Sequence, residues 1–135
     1  MIKIVYGPKG SGKTKRLIAM ANADVTTLKG LSVFITDNKR CMYDVNRAVK
    51  FIDVKDFNIT GEEALCGFIC GVCACSYDQE FVYVDGIARI AGKSVSELSK
   101  LFYMLEKVSN DNDITIVLTC SCEKEDLPDF VKKYV

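Results

Sequence analysis

Near its beginning the chain reads Gly7-Pro8-Lys9-Gly10-Ser11-Gly12-Lys13-Thr14, which matches the pattern G-x-x-x-x-G-K-[ST] at every position. The apolar segment before it, Ile2 to Tyr6, predicts a strand, and the segment after it, Lys13 to Asn22, predicts a helix. A loop between a strand and a helix presents backbone amides and a helix N-terminus to an anion. Its glycines let those amides approach a phosphate closely. The stretch therefore predicts a phosphate-binding loop at the start of an α/β fold.

Two side chains at the end of this loop have predicted roles of their own. The ammonium of Lys13 would reach the β- and γ-phosphates of a nucleotide as a mobile point charge, and the hydroxyl of Thr14 would face Mg²⁺. The residues predicted to bind the nucleotide are Gly7, Pro8, Lys9, Gly10, Ser11, Gly12, Lys13, Thr14 and Lys15.

Short apolar runs alternate with helical stretches along the rest of the chain, which is typical of an α/β protein with a buried parallel sheet. Further strands are predicted at Leu31 to Thr36, Phe51 to Val54, Phe81 to Asp85 and Ile114 to Leu118. Further helices are predicted from Gly61 to about Cys75, from the Ser94 region to about Val108, and from Leu127 to Tyr134. Two apparent capping boxes, Thr60-Gly61-Glu62-Glu63 and Ser94-Val95-Ser96-Glu97, predict where two of these helices begin. We expect a three-layer parallel sheet with helices on both faces, in one domain over residues 1–135.

The composition excludes several classes of function. The 135 residues contain 18 Lys+Arg and 18 Asp+Glu, and this balance gives no clear signal for nucleic-acid binding. Histidine is absent, which excludes an imidazole base and a histidine-ligated zinc. No stretch approaches the roughly 20 apolar residues of a membrane-spanning helix, and the N-terminus does not resemble a signal peptide. We therefore expect a cytoplasmic protein without a membrane partner, with its seven cysteines present as thiols.

Asp85 stands at the end of an apolar predicted strand. Ligands of parallel sheets bind at the carboxyl ends of the strands, so Asp85 would lie at the same edge as the phosphate loop. Its carboxylate suits the second protein group of a Mg²⁺ site, acting through water because Mg²⁺ gives up its water reluctantly. The alternative is an ordinary strand-end aspartate that begins a turn with Gly86.

Together, Gly7 to Thr14 and Phe81 to Asp85 resemble the Walker A and Walker B motifs of the P-loop NTPase superfamily, across nearly the whole chain. Two strand-like segments lie between the motifs and Ile114 to Thr119 follows them, which resembles the RecA-like branch. That resemblance implies that the strand ending at Thr119 lies between the two motif strands and that Thr119 senses the γ-phosphate. Ser121 is the neighbouring alternative. The whole chain is also similar to small bacterial ATP-binding proteins labelled twitching-motility or pilus-retraction-like. Only their nucleotide site is carried over to this chain. A pilus-retraction motor has a histidine box, and this chain has no histidine.

The RecA-like pattern usually places a glutamate directly after the Walker B aspartate, where it polarises the attacking water. Gly86 occupies that position here. The catalytic base would then be Asp37, at the end of the second predicted strand, or a group from a partner, or it would be dispensable in a binding switch. Gly86→Glu is expected to raise hydrolysis if only the base is missing, unless the backbone at Gly86 has a positive φ.

Seven basic residues fall on or near segments predicted at the carboxyl edge of the sheet: Lys15, Arg16, Lys39, Arg40, Arg47, Arg89 and Lys93. Arg89 follows Asp85 and would either reach the γ-phosphate as an arginine finger or remain a solvated loop cation. The segment from Asp37 to Arg40 would either hold a phosphoryl acceptor or form an ordinary polar turn.

Cysteines at Cys66, Cys70 and Cys73 are spaced to share one face of a helix, which predicts small buried side chains. One metal cluster with Cys120 and Cys122 is not expected. The helix would carry Cys75 about 20 Å from the sheet edge where that pair emerges.

The function expected from these features is that of an ATP-binding protein that uses Mg²⁺ and hydrolyses ATP slowly or only with a partner. One alternative is a small-molecule kinase of the nucleoside type, because the loop also resembles that of thymidine kinases. Another is a nucleotide switch without catalysis. ATP is favoured because no N-K-x-D guanine motif occurs. A protein partner or a second copy of the chain is left open.

Overall fold

The computed structural model describes residues 1–135 and contains one sheet of five parallel strands. These strands are β1 (Ile2–Gly7), β2 (Leu31–Thr36), β3 (Val49–Asp53), β4 (Gln79–Val84) and β5 (Thr115–Ser121). Their order across the sheet is β1-β5-β4-β2-β3, and every neighbouring pair is parallel. The predicted position of β5 between the two motif strands is therefore confirmed. Because all strands run in the same direction, the loops after β1, β5, β4 and β2 meet at one edge.

Helices cover both faces of this sheet, as the three-layer prediction required. They are α1 (Lys13–Asp24), α2 (Glu62–Ala74), α3 (Ile87–Ala91), α4 (Ser99–Asn112) and α5 (Asp129–Lys132). Helix α1 packs on one face through Leu17, Ile18 and Ala21. The other helices pack on the opposite face, where the larger of the two apolar clusters lies. None of the helices is both long enough and apolar enough to cross a membrane.

Strand β4 shows how one sequence serves both layers, because successive side chains of a strand point to opposite faces. Val82 and Val84 belong to the larger cluster, whereas Tyr83 belongs to the cluster beneath α1. The ring of Tyr83 is fully buried, and its hydroxyl donates a hydrogen bond to the carboxylate of Asp24 at the end of α1. Burial on both faces explains why this strand reads as a continuous apolar run.

The two predicted capping boxes do not form. Helix α2 begins at Glu62 with Gly61 as its N-cap residue, so the predicted cap, Thr60, lies one residue too early and no side chain caps the helix. Ser94 donates to the carboxylate of Glu97 at 2.9 Å, which closes a short 3₁₀ turn, and α4 begins only at Ser99. Helix α3, directly after β4, was not predicted.

The cysteine-rich helix α2 is turned slightly from its predicted orientation. Its buried stripe consists of Leu65, Ile69 and Cys73, while Cys66 and Cys70 lie beside it and are only half-buried. The prediction that three cysteines share one buried face is therefore wrong for two of them. Leucine and isoleucine bury more apolar surface than a thiol, so they take the central positions.

Leu105 of α4 offers a test of this packing. Its side chain is 0% exposed within the larger cluster, so Leu105→Ala should leave a cavity and lower the free energy of unfolding by about 2–5 kcal/mol. Tyr103 of the same helix is 68% exposed, and Tyr103→Ala should change that energy by less than about 0.5 kcal/mol. Urea denaturation followed by circular dichroism measures both. Equal losses in the two variants would contradict the assigned face of α4.

Candidate functional site

The predicted phosphate-binding loop connects β1 with α1. Gly12 precedes the helix with φ +85°, a left-handed conformation that favours glycine. The amide of Ser11 and the ammonium of Lys13 both donate hydrogen bonds to the carbonyl of Pro8, at 3.1 and 2.9 Å. Lys13 is only 8% exposed. The loop therefore curls over its own lysine, whose ammonium is held by the Pro8 carbonyl.

Asp85 lies where the phosphate loop, β4 and β5 meet. The hydroxyl of Thr14 donates to its carboxylate at 3.0 and 3.2 Å, and the hydroxyl of Thr119 donates to it at 3.0 Å. The amide of Gly86 in turn donates to the Thr119 oxygen at 2.8 Å. Asp85 is only 4% exposed, so these bonds compensate for much of the water that its carboxylate loses. The structure thus brings together three residues that the sequence analysis nominated from three separate segments.

A cleft of about 470 Å³ opens above these residues. It is lined by Lys9, Gly10, Gly12, Lys13, Thr14, Lys15, Arg40, Asp85, Arg89, Thr119 and Ser121. Five of these side chains are cationic and one is a carboxylate, which suits a ligand that carries several negative charges. Gly7, Pro8 and Ser11 belong to the loop without lining the cleft. Asp37, the predicted alternative base, lies outside it.

Asp37 is held by Arg89 in a two-point ion pair. The guanidinium of Arg89 donates from Nε to Asp37 Oδ2 at 3.0 Å and from Nη2 to Asp37 Oδ1 at 2.9 Å. The same Nη2 lies 3.8 Å from Asp85 Oδ2. The hydrogen bond from Arg89 lowers the pKa of the Asp37 carboxyl below its ordinary value. A carboxyl whose pKa is lowered in this way accepts a proton less readily, so the pair makes Asp37 a weaker base.

Gly86 has φ +84°, a backbone conformation that a side chain rarely adopts. A Cβ placed there would also collide with the guanidinium of Arg89. Both facts disfavour a side chain at this position. They also make Gly86→Glu an unsuitable test, since the new side chain would displace Arg89 and strain the turn.

The donor set fits Mg²⁺. Thr14 and Asp85 offer hard oxygen atoms, and no group of three or more Cys, Asp or Glu side chains is arranged to hold a metal by itself. Mg²⁺ commonly keeps several waters and is bound by one or two protein groups together with substrate phosphates.

Thr36 ends β2 next to Asp85, and the amide of Asp85 donates a hydrogen bond to the Ile35 carbonyl at 2.8 Å. The hydroxyl of Thr36 is fully buried without a hydrogen-bond partner, and a bound water would satisfy it.

The cysteines near this edge are not activated. Burial raises the pKa of Cys120 to about 12 and raises that of the half-buried Cys122. The thiolate is the reactive form, so these groups are poor nucleophiles at neutral pH.

No protein-family model and no curated protein matches the sequence. The structure is similar to the crystal structure of the flagellar accessory protein FlaH from Methanocaldococcus jannaschii, with a TM-score of 0.66 and 13% sequence identity. The similarity covers 98% of this chain and 65% of the FlaH chain, so this chain spans less than two thirds of FlaH. At this identity the likeness concerns the fold alone. The chain has a RecA-like α/β fold of the P-loop type.

The Arg89–Asp37 pair predicts a pH dependence. The folded-state pKa of Asp37 lies below its ordinary value of 3.8, so the pair contributes its full stability above that pH and loses it as the pH falls through the lower folded-state value. Asp37→Asn should therefore lower the urea midpoint at pH 7 and at pH 5, and the difference from wild type should shrink below pH 3.8.

Asp111→Asn is the control, because it removes one side of an exposed pair with Lys107 and should change stability little at any pH. A difference for Asp37→Asn that stays constant down to pH 3 would show that packing, and not charge, accounts for its effect.

Proposed function

We propose that this chain binds ATP together with Mg²⁺ and, by itself, hydrolyses it slowly. The observation that supports this proposal is the meeting of Thr14 and Thr119 on the buried carboxylate of Asp85. A glycine-rich turn without a ligand would not need that arrangement. The surplus of cations in the adjacent cleft suits the phosphates of the nucleotide.

Each residue has a role in this proposal. The amides of the loop and the ammonium of Lys13 would bind the β- and γ-phosphates. Thr14 and Asp85 would hold Mg²⁺, which when bound neutralises charge that develops on the phosphate oxygens. Thr119 joins the Asp85 carboxylate to the Gly86 amide, so it would report the state of the γ-phosphate to the loop after β4.

Slow turnover is expected because no unpaired carboxylate is placed where it would activate the attacking water. Gly86 supplies no carboxylate, and Asp37 is engaged by Arg89. A positioned base contributes about 10²–10⁴-fold to a rate, and that contribution is absent here. A protein partner or a second copy of the chain would have to supply a base or separate Asp37 from Arg89. Without either, the chain would act as a nucleotide switch.

A second cavity supports phosphoryl transfer to a small molecule as the alternative. It measures about 390 Å³ and is lined by Asp37, Val54, Lys55, Asn58, Ile59, Thr60, Arg89 and Ile90. Arg89 also lines the cleft of about 470 Å³ beside the phosphate-binding loop (the phosphate cleft), so the two cavities share a wall. Transfer of labelled γ-phosphate from ATP to a nucleoside or another small acceptor, in place of water, would favour this candidate.

Lys13 tests nucleotide binding. If its ammonium neutralises the phosphates, Lys13→Ala should lower ATP affinity at least about tenfold, since a charge-assisted hydrogen bond contributes about 1.5–3 kcal/mol. Titration calorimetry measures the affinity. Lys107→Ala, which removes an exposed lysine from α4, should leave it unchanged. Equal ATP affinity in wild type and Lys13→Ala would contradict the proposed function.

Slow hydrolysis is tested by the wild-type rate with Mg²⁺-ATP and no partner. The expected turnover is well below the median enzyme value of about 10 per second. Phosphate release measures it, with Lys13→Ala as the control for contaminating activity. Several turnovers per second, absent from that control, would show that a base is present, and Asp37→Asn would then be the first variant to examine.

A further inference from the structure

Two arginines line the phosphate cleft, and their surroundings differ. Arg89 uses Nε and Nη2 to bind both carboxylate oxygens of Asp37. To contact a phosphate with the same edge of its guanidinium, Arg89 would first have to break this pair. Only its Nη1 is left without a hydrogen-bond partner, so Arg89 could make a two-point contact with phosphate oxygens only by giving up this pair.

Arg40 has no acidic partner among the ion pairs of the chain. Its amide and its Nε both donate to Oδ1 of Asn38, at 3.1 and 3.3 Å, which fixes the stem of the side chain in the loop after β2. Its two terminal nitrogens have no hydrogen-bond partner. The adjacent cation, Lys39, is in contrast bound to Asp53 and Asp56 at 3.0 and 2.6 Å. Of the two cations in this turn, only Arg40 lines the cleft.

Strand order indicates which end of a nucleotide Arg40 would meet. The phosphate loop follows β1, and Asp85 follows β4, with β5 between them. Strand β2, which leads to Arg40, lies on the far side of β4. If Thr14 and Asp85 hold Mg²⁺ as proposed, the terminal phosphates that share the ion would extend from the loop toward Asp85, which is the β4 and β2 side of the cleft.

We propose that Arg40 is the residue that recognises the γ-phosphate and distinguishes a nucleoside triphosphate from a diphosphate. This inference rests on the proposed function and assigns a cation within its binding site. A guanidinium with two free terminal nitrogens can bind two phosphate oxygens at once, which an ammonium cannot do with the same geometry. The side chain acts from within the same chain, so recognition of the triphosphate needs no second copy.

The experiment is titration calorimetry of Mg²⁺-ATP and Mg²⁺-ADP on wild type, Arg40→Ala, Arg40→Lys, Arg89→Ala and Arg47→Ala. Arg40→Ala should weaken ATP binding about tenfold and change ADP binding less than about twofold, because only the triphosphate offers the contact. Arg40→Lys should lie between, since it keeps the charge and loses the fork. Arg47 is an exposed cation near the end of the same loop and does not line the cleft. Arg47→Ala therefore controls for the loss of one positive charge and should change neither affinity.

Two results would overturn the role of Arg40. One is an equal effect of Arg40→Ala on ATP and ADP, including no effect on either. The other is loss of the difference between the two nucleotides in Arg89→Ala but not in Arg40→Ala, which would transfer the role to Arg89. Failure of the proposed function looks different, because wild type would then bind neither nucleotide, or Lys13→Ala would bind ATP as wild type does.

Discussion

The carboxylate of Asp85 is the group on which the arrangement of the site depends. It is almost completely buried, and a buried charge is costly unless hydrogen bonds replace its water. The Thr14 hydroxyl, from α1, donates to both carboxylate oxygens, and the Thr119 hydroxyl, from β5, donates to one of them. These bonds fix the start of α1 against the ends of β4 and β5. Any change that removes one hydroxyl would leave the carboxylate less compensated and loosen the junction that holds the phosphate loop.

The same carboxylate explains why an arginine is found near the position of the usual glutamate. Arg89 lies 3.8 Å from Asp85 and binds Asp37 with two hydrogen bonds, so one cation neutralises two acids at the sheet edge. The left-handed backbone at Gly86 leaves room for the guanidinium. A glutamate at this position would put a third acid close to the first two and exclude the cation that balances them. These charges agree with the proposed function, in which the site binds the nucleotide and hydrolyses it slowly.

Much of this architecture could be predicted because it is encoded locally. The loop from Gly7 to Thr14 has a specific pattern, and the apolar runs mark the strands because strands buried on both faces carry few polar residues. Strand order and the position of Thr119 followed from the resemblance to RecA-like proteins. The fold prediction was confirmed, whereas the roles of the site residues stay predictions.

The missed features depend on side chains that meet only in the folded chain. Asp37 and Arg89 are far apart in sequence, and nothing in either segment reveals their ion pair. Glu62 and Lys93 likewise form an ion pair between two segments that are distant in sequence. The same limit applies to Arg40, which the sequence could not distinguish from Lys39. Only the structure shows that Asp53 and Asp56 bind one of these neighbouring cations and leave the other free.

If the chain hydrolyses ATP as proposed, Arg89 would also limit how that activity is switched on. It borders both the phosphate cleft and the second cavity, so a molecule that enters the second cavity meets Asp37 and Arg89 together. Asp37 is a weaker base while both of its oxygens accept hydrogen bonds from the guanidinium, because the pair lowers the pKa of its carboxyl. An activating partner that acts on Asp37 must therefore offer a competing anion to Arg89 or move the loop after β2. An anion bound in the second cavity would compete with Asp37 for the guanidinium of Arg89. Asp37 would then be released in the same loop that carries Arg40, which is proposed to hold the γ-phosphate.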